Sequence, residues 1–133
     1  MPYIIDTNIA IHLRDTDREI QRNVQRLEDE LFLSIISVVE LEGGITRNPE
    51  TAAVRRLLLD EMLGILSILP FGQREAAEYG RIVAKIGFAR NRILDRMIAA
   101  QAIITGATLI TMNGSDFQDI PGLTLEIWPS PQR

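Results

Sequence analysis

Four acidic residues lie at points of the sequence where an apolar run or a helical pattern begins or ends. They are Asp6, Glu40, Asp95 and Asp116. Asp6 directly follows the apolar run Tyr3-Ile4-Ile5, which places it at the carboxyl end of a predicted buried strand. In an open α/β sheet, ligands bind in the crevice at the carboxyl ends of the strands. The four acids are therefore candidates for one shared site.

Carboxylates that converge repel one another unless a proton or a cation lies between them. The chain has no cysteine and a single histidine, which excludes thiolate sites and histidine-rich zinc sites. Oxygen ligands suit Mg²⁺ or Mn²⁺. An ion of this kind acidifies its bound water and stabilises both oxygens of an in-line displacement, which is the chemistry of phosphodiester hydrolysis.

Each acid also has a simpler structural explanation. Asp6-Thr7-Asn8 could form only a turn and a helix cap, and Ser37-x-x-Glu40 fits a capping box. Asp95 falls in the first turn of a predicted helix, where the macrodipole favours an anion. Asp116 could cap a short helix after Asn113-Gly114. Both explanations stay open for each acid alone, and the placement of all four favours the shared site.

The hydrophobic pattern predicts alternating strands and helices. The predicted strands are Tyr3–Ile5, Leu31–Ile36, Ile65–Leu69, Thr108–Thr111 and Leu123–Trp128. The predicted helices are Thr7–Leu13, Arg14–Glu30, one opening at Ser37, Ala52–Leu63, Gln73–Ile86 and Ile93–Thr105. The alternation predicts an α/β fold, with a parallel sheet and helices on both of its faces. We expect one domain over residues 1–133, with a loose tail at 129–133.

Local signals predict where several of these elements begin and end. Thr7 could cap the first helix, and Thr16-x-x-Glu19 fits a capping box at the start of the second. Gly43-Gly44 and Asn48-Pro49 predict interruptions of regular secondary structure. His12, near the end of the first helix, is a weak candidate for a general base, because a lone histidine is more often packed or exposed.

Charge is distributed unevenly along the chain. The net charge is −4, which taken alone argues against a general nucleic-acid binder. Between Tyr79 and Ser115, however, Asp95 is the only acid and five residues are basic. Such a cluster could bind phosphate or could be a solvated helix face. The candidate substrate-binding residues are Arg81, Lys85, Arg90, Arg92 and Arg96.

Polar residues near the predicted strand ends could assist the acids. Asn8, Thr111, Asn113 and Ser115 are candidates for orienting the acids or for donating to phosphate. No apolar run approaches the roughly 18 residues of a membrane span, and no signal-peptide pattern is evident. We therefore expect a cytoplasmic protein with no membrane partner.

Several segments resemble those of PIN-domain ribonucleases of the VapC toxin type, over nearly the whole chain. They are Asp6-Thr7-Asn8, Ser37-Val38-Val39-Glu40-Leu41, Asp95-x-x-Ile98-Ala99-Ala100-x-Ala102, Thr111-x-Asn113-x-x-Asp116-Phe117, Ile120-Pro121-Gly122-Leu123 and Trp128. The resemblance implies a PIN domain with a five-stranded parallel sheet and an endonuclease that cleaves RNA with Mg²⁺ or Mn²⁺. Met112 and Gly114 depart from motif positions that are often polar or basic in this family, which puts substrate contacts in doubt.

The same resemblance implies roles and partners. Asp6, Glu40 and Asp95 would be the core metal-binding acids, Asp116 the more variable fourth, and Thr111 and Asn113 supporting residues. Proteins of this type are typically homodimers. A small cognate antitoxin neutralises them by occupying the acidic groove, and the antitoxin binds operator DNA.

Three other functions compete with this interpretation. A phosphatase with an aspartyl nucleophile needs a second acid two residues after Asp6, where the chain has Asn8. A response-regulator receiver needs a lysine after its last strand, but the only lysine is Lys85, in a predicted helix. A non-catalytic RNA- or protein-binding module on the same scaffold is the remaining alternative.

Overall fold

Five short strands form one parallel sheet in the computed structural model, which describes residues 1–131. The strands are β1 (Tyr3–Ile5), β2 (Leu31–Ser34), β3 (Ser67–Leu69), β4 (Thr108–Thr111) and β5 (Thr124–Ile127). Their order across the sheet is β3-β2-β1-β4-β5, so β1 is central and pairs with both β2 and β4. The direction of winding reverses between β1 and β4, and ligands bind at such a switch point.

Six helices cover the two faces of the sheet. They are α1 (Thr7–Arg14), α2 (Arg18–Gln25), α3 (Ile35–Ile45), α4 (Ala52–Ile65), α5 (Gln73–Ile86) and α6 (Ile93–Thr105). Short 3₁₀ turns span Arg90–Arg92 and Gly114–Asp116. None of the helices within residues 1–131 has the length and apolar character to cross a bilayer.

The side chains of β1 alternate between two hydrophobic cores. Ile5 packs with residues of α1 to α4 on one face, and Ile4 packs with residues of α5 and α6 on the other. Both isoleucines are fully buried, as the period of a central strand requires. The predicted α/β fold, with a parallel sheet and helices on both faces, is confirmed.

Two of the predicted helix starts are wrong. Asp6, not Thr7, caps α1, because its Oδ1 accepts a 3.0 Å hydrogen bond from the Ile9 backbone N–H. Asp17, not Thr16, caps α2 by accepting from the Ile20 N–H at 3.1 Å. Thr16 instead adopts φ +62° in the tight turn between the helices, so α2 cannot begin at Arg14.

The predicted capping box at Ser37 and Glu40 is also wrong. Ser34 caps α3 by accepting from the Ile36 N–H at 2.9 Å, so the helix begins three residues earlier. Glu40 therefore lies in the helix interior, where no cap needs it. The predicted break at Gly43-Gly44 is absent as well, since α3 continues to Ile45.

The strand limits differ slightly from the predicted ones. β2 ends at Ser34 because α3 starts there, and β3 begins at Ser67 because α4 extends to Ile65. After β5 the side chain of Trp128 is buried, and residues 129–131 have no regular secondary structure. The predicted loose tail spans residues 129–133, and its last two residues lie outside the described part of the chain.

Candidate metal centre

The four acids line one cavity at the carboxyl edge of the sheet. The cavity has a volume of about 640 Å³, and its lining includes Asp6, Glu40, Asp95 and Asp116. They come from the end of β1, the middle of α3, the first turn of α6 and the 3₁₀ turn after β4. Residues more than one hundred positions apart in the sequence thus meet at the switch point of the sheet.

Asp6 is held from two sides. Its Oδ1 accepts from the Ile9 N–H, and its Oδ2 accepts a 2.5 Å hydrogen bond from the Thr111 hydroxyl. Thr111 itself is fully buried and accepts from the Asn113 N–H at 3.0 Å. Burial raises the pKa of Asp6, and the two hydrogen bonds oppose that rise. Asp6 therefore both caps α1 and presents a fixed carboxylate to the cavity.

Glu40 is oriented by two hydroxyl groups. The Thr7 hydroxyl donates to Glu40 Oε1 at 2.7 Å, and it lies 2.8 Å from the hydroxyl of the buried Ser37. Since the single Thr7 proton is used on Glu40, Ser37 must donate to Thr7. Sequence reasoning missed this relay, because both hydroxyl residues also suit helix caps. Their spacing of one helical turn places Ser37 and Glu40 on one face of α3, but only the packing of α1 brings Thr7 between them.

Asp95 and Asp116 both lie next to the guanidinium group of Arg92. Burial is the largest cause of the rise in the Asp95 pKa to about 6, and the charges of Asp116, Asp6 and Glu40 add to it. The Arg92 guanidinium, 3.8 Å from Asp95 Oδ2, opposes the rise. Arg92 also donates to Asp116, whose second oxygen accepts from the Asn113 side-chain amide at 2.7 Å.

The donor set fits a hard divalent cation. All four acids supply oxygen, and such an ion relieves the repulsion that adds to burial in raising the Asp95 pKa. Within residues 1–131, no three acidic or histidine side chains already stand as a ready ligand group. Mg²⁺ does not require one, because it usually keeps several waters and takes only one or two carboxylates from the protein.

The remaining predicted supporting residues also lie at this edge. Asn8 lines the cavity. The Ser115 hydroxyl donates to Asn113 Oδ1 at 2.9 Å and so steadies the amide that holds Asp116. His12 is not among the residues that line the cavity.

The five basic residues predicted to bind substrate do not all lie near the acids. Arg92 contacts two of the acids, whereas the side chain of Arg96 is 5% exposed and donates to the Gly87 carbonyl at 2.7 Å. Arg81 pairs with Glu78 at 3.0 Å on the surface of α5. Lys85 and Arg90 do not line the cavity. Three other arginines do line it, and none of them is among the predicted substrate-binding residues: Arg14, Arg47 and Arg55.

Comparison with known proteins identifies the family of this chain. The PIN domain family matches residues 3–123. Ribonuclease VapC1 of Rickettsia felis is 35% identical over 127 residues, which cover 92% of this chain and 93% of that protein. The tRNA(fMet)-specific endonuclease VapC of Salmonella typhimurium is 26% identical, with 96% of this chain and 98% of that protein covered.

The backbone fold is also similar to that of a solved structure. The structure of VapBC2 from Rickettsia felis, bound to a DNA fragment from its promoter, superposes with a TM-score of 0.85 at 29% identity. The superposition covers 96% of this chain and 99% of that one. The chain therefore belongs to the PIN domain family, in the branch that contains the proteins named ribonuclease VapC.

Proposed function

We propose that this chain is an endoribonuclease that hydrolyses RNA phosphodiester bonds with a divalent metal, and that it is the toxin of a toxin–antitoxin pair. The observation that carries the proposal is the meeting of Asp6, Glu40, Asp95 and Asp116 in one open cavity. The name of the relative at 35% identity, a ribonuclease, supports the same activity.

The four acids are the residues that would hold Mg²⁺ or Mn²⁺. When bound, such an ion supplies an acidified water and stabilises charge on the reacting phosphate. The side chains that surround the acids prepare them for that task. Thr111 fixes the rotation of Asp6, Thr7 fixes that of Glu40, and Asn113 fixes that of Asp116. Arg92 offsets part of the negative charge around Asp95 and Asp116.

The partners follow from the same proposal. The solved relative whose title names VapBC2 and promoter DNA supports a cognate antitoxin that binds operator DNA. We infer that this chain forms a homodimer, meets operator DNA only through the antitoxin, and acts in the cytoplasm, where its RNA substrate is. We also propose that residues 1–133 form a single PIN domain.

Cleavage of RNA by the purified protein tests the proposal. Single-stranded RNA and total tRNA are incubated with wild type, Asp6→Asn and Glu40→Gln, each with Mn²⁺ or with EDTA. We expect wild type to cleave only with metal and the variants to lose roughly a hundredfold or more in rate. Cleavage that persists in EDTA, or in both variants, would contradict the assignment.

A non-catalytic binding module on the same scaffold remains the second candidate. It predicts RNA or protein binding without cleavage under every metal condition. The complete acid set disfavours it, because a module that only binds has no use for four carboxylates that line one cavity.

A further inference from the structure

Three arginines line the same cavity as the acids and come from three different parts of the chain. Arg14 is the last residue of α1, Arg47 lies two residues beyond the end of α3, and Arg55 is in the first turns of α4. The cavity therefore carries four carboxylates and three guanidinium groups. Because Arg14 is far in the sequence from Arg47 and Arg55, the packing of α1 against α3 and α4 brings it to the same cavity.

Two of these arginines are uncompensated. In the part of the chain that the structure describes, neither Arg47 nor Arg55 has an ion-pair or hydrogen-bond partner for its side chain. Their neighbour Arg56, in contrast, is held by Glu42 at 2.6 Å and by Asp60 at 2.6 Å on the outer surface. A protein that pairs one arginine twice and leaves the adjacent one free keeps that free charge available to a ligand.

Arg14 is different because it is buried. Its side chain is 5% exposed, and its Nε donates to Asp15 Oδ1 at 2.9 Å. A buried guanidinium held by a single, half-exposed carboxylate is fixed in orientation at the cavity wall. Its charge is thus already paired within the protein, whereas Arg47 and Arg55 keep theirs for a ligand.

Along the helices, the backbone positions of the acids and of the arginines are about two turns apart. Asp6 caps the start of α1 and Arg14 ends it, so about 12 Å lies between them along the helix axis. Glu40 and Arg47 are related in the same way along and just beyond α3, at about 10 Å. A few nucleotides of extended RNA backbone can cross this distance.

Two glycines leave free space on the cavity surface between the acids and the arginines. Gly43 and Gly44 line the cavity within α3, although glycine is among the poorest helix formers. A Cβ built at either position would meet no atom within 4 Å, so packing within the protein does not require glycine there. The free space lies on the path from Glu40 to Arg47.

We propose that Arg47 and Arg55 bind the phosphates of the RNA strand that flank the bond at the acids, and that Gly43-Gly44 leave room for that strand. This inference rests on the proposed ribonuclease function and names its substrate-binding surface. It moves the phosphate contacts from the basic residues between Tyr79 and Ser115 to the opposite face of the sheet. Guanidinium groups suit this task, because they contact phosphate through two parallel hydrogen bonds.

Binding of a fluorescently labelled single-stranded oligoribonucleotide, measured by anisotropy, tests the inference. The measurement uses the Asp95→Asn background, so that cleavage does not interfere. Arg47→Ala/Arg55→Ala is compared with Arg56→Ala, which removes the same kind of charge from the next position of the same helix. We expect the double variant to lose at least roughly tenfold in affinity, and Arg56→Ala to lose less than about twofold.

Salt dependence and space provide two further readouts. The slope of log K against log salt should fall by about 0.7 for each phosphate that the variant no longer neutralises. Gly44→Leu keeps every charge and suits a helix, so it should weaken RNA binding without lowering the melting temperature. RNA binding by the double variant equal to that of Arg56→Ala, with the same salt slope, would overturn the inference.

The two proposals fail separately. A wild-type protein that cleaves RNA while Arg47→Ala/Arg55→Ala binds RNA normally would overturn the binding surface alone. A wild-type protein that never cleaves RNA, in which the double variant still loses affinity, would overturn the ribonuclease and keep the surface.

Discussion

Thr111 donates a 2.5 Å hydrogen bond to Asp6 Oδ2, and the two residues lie at the carboxyl ends of the paired strands β4 and β1. The other carboxylate oxygen of Asp6 accepts from the Ile9 N–H. The carboxylate is thus fixed in rotation by one strand and one helix, both of which are rigid elements. A ligand group held in this way loses little entropy when it binds an ion.

Thr111→Val should remove this restraint while preserving shape. We expect RNA cleavage to fall by roughly 10- to 100-fold, because residues that orient a metal ligand typically contribute that much. Thr111→Ser keeps the hydroxyl and should retain most of the activity. Comparable activity in the valine and wild-type proteins, with intact circular dichroism spectra, would show that the hydrogen bond does not position Asp6.

Asp95→Asn should abolish cleavage and stabilise the metal-free fold. The Asp95 pKa of about 6 lies above its unfolded value, so the folded state binds the proton more tightly. The carboxyl therefore destabilises the fold increasingly as the pH rises from its unfolded pKa to its folded pKa. Since the Asp95 side chain is 33% exposed, we expect the free energy of unfolding of Asp95→Asn at pH 7 to exceed that of wild type by only about 1 kcal/mol.

Thermal melts in EDTA from pH 4 to pH 8 measure this effect. The advantage of Asp95→Asn should grow between pH 4 and pH 6 and then stay constant. A variant that melts lower than wild type at pH 7 would instead assign Asp95 to stabilising the first turn of α6.

Metal affinity should depend on pH through the same group. A proton on Asp95 competes with the ion, so apparent Mn²⁺ affinity should fall roughly tenfold per pH unit below about pH 6. The raised pKa of Asp6 steepens the fall. Calorimetric titrations at pH 5, 6 and 7 provide the measurement, and equal affinities at all three would contradict a site built on these two carboxyls.

Gln101 should matter for stability although it lies far from the chemistry. It is 1% exposed, its Nε2 donates to the carbonyls of Leu69 and Pro70, and its Oε1 accepts from Ser34. Gln101→Leu removes the partner of the buried Ser34 hydroxyl and of two part-buried carbonyls, which should cost about 1–3 kcal/mol in the free energy of unfolding.

Urea denaturation measures the loss. Gln118→Leu, on the exposed surface, is the matched control and should change stability by less than about 0.5 kcal/mol. Equal unfolding midpoints for the two variants would mean that the network around Gln101 contributes nothing net.

The parallel sheet could be predicted because each strand is a short apolar run with a polar residue or a turn signal close to its end. The limits of α5 and α6, Gln73–Ile86 and Ile93–Thr105, follow from their periodicity and from the glycines after them. The start of α3 could not be predicted with the same certainty. Ser34 and Ser37 are both suitable caps by residue type, and only the folded geometry, in which Ser34 accepts from the Ile36 N–H, decides between them.

The candidate site divides in the same way. The four acids were predicted to share one site because strand ends share an edge, and the cavity that they line agrees with that. The relay from Ser37 through Thr7 to Glu40 could not be predicted, because it depends on how α1 packs against α3. The arginines that line the cavity were not predicted as substrate-binding residues, for the same reason.

Calorimetric titration with Mn²⁺ at pH 7 tests most directly whether the acids share an ion. Wild type, Asp6→Asn, Asp95→Asn and the control Glu28→Gln, which lies on the exposed surface, are titrated side by side. We predict that wild type and Glu28→Gln bind Mn²⁺ with the same affinity, and that Asp6→Asn and Asp95→Asn each lose at least about tenfold. Equal Mn²⁺ binding by all four proteins, or by none of them, would contradict a metal site at these carboxylates.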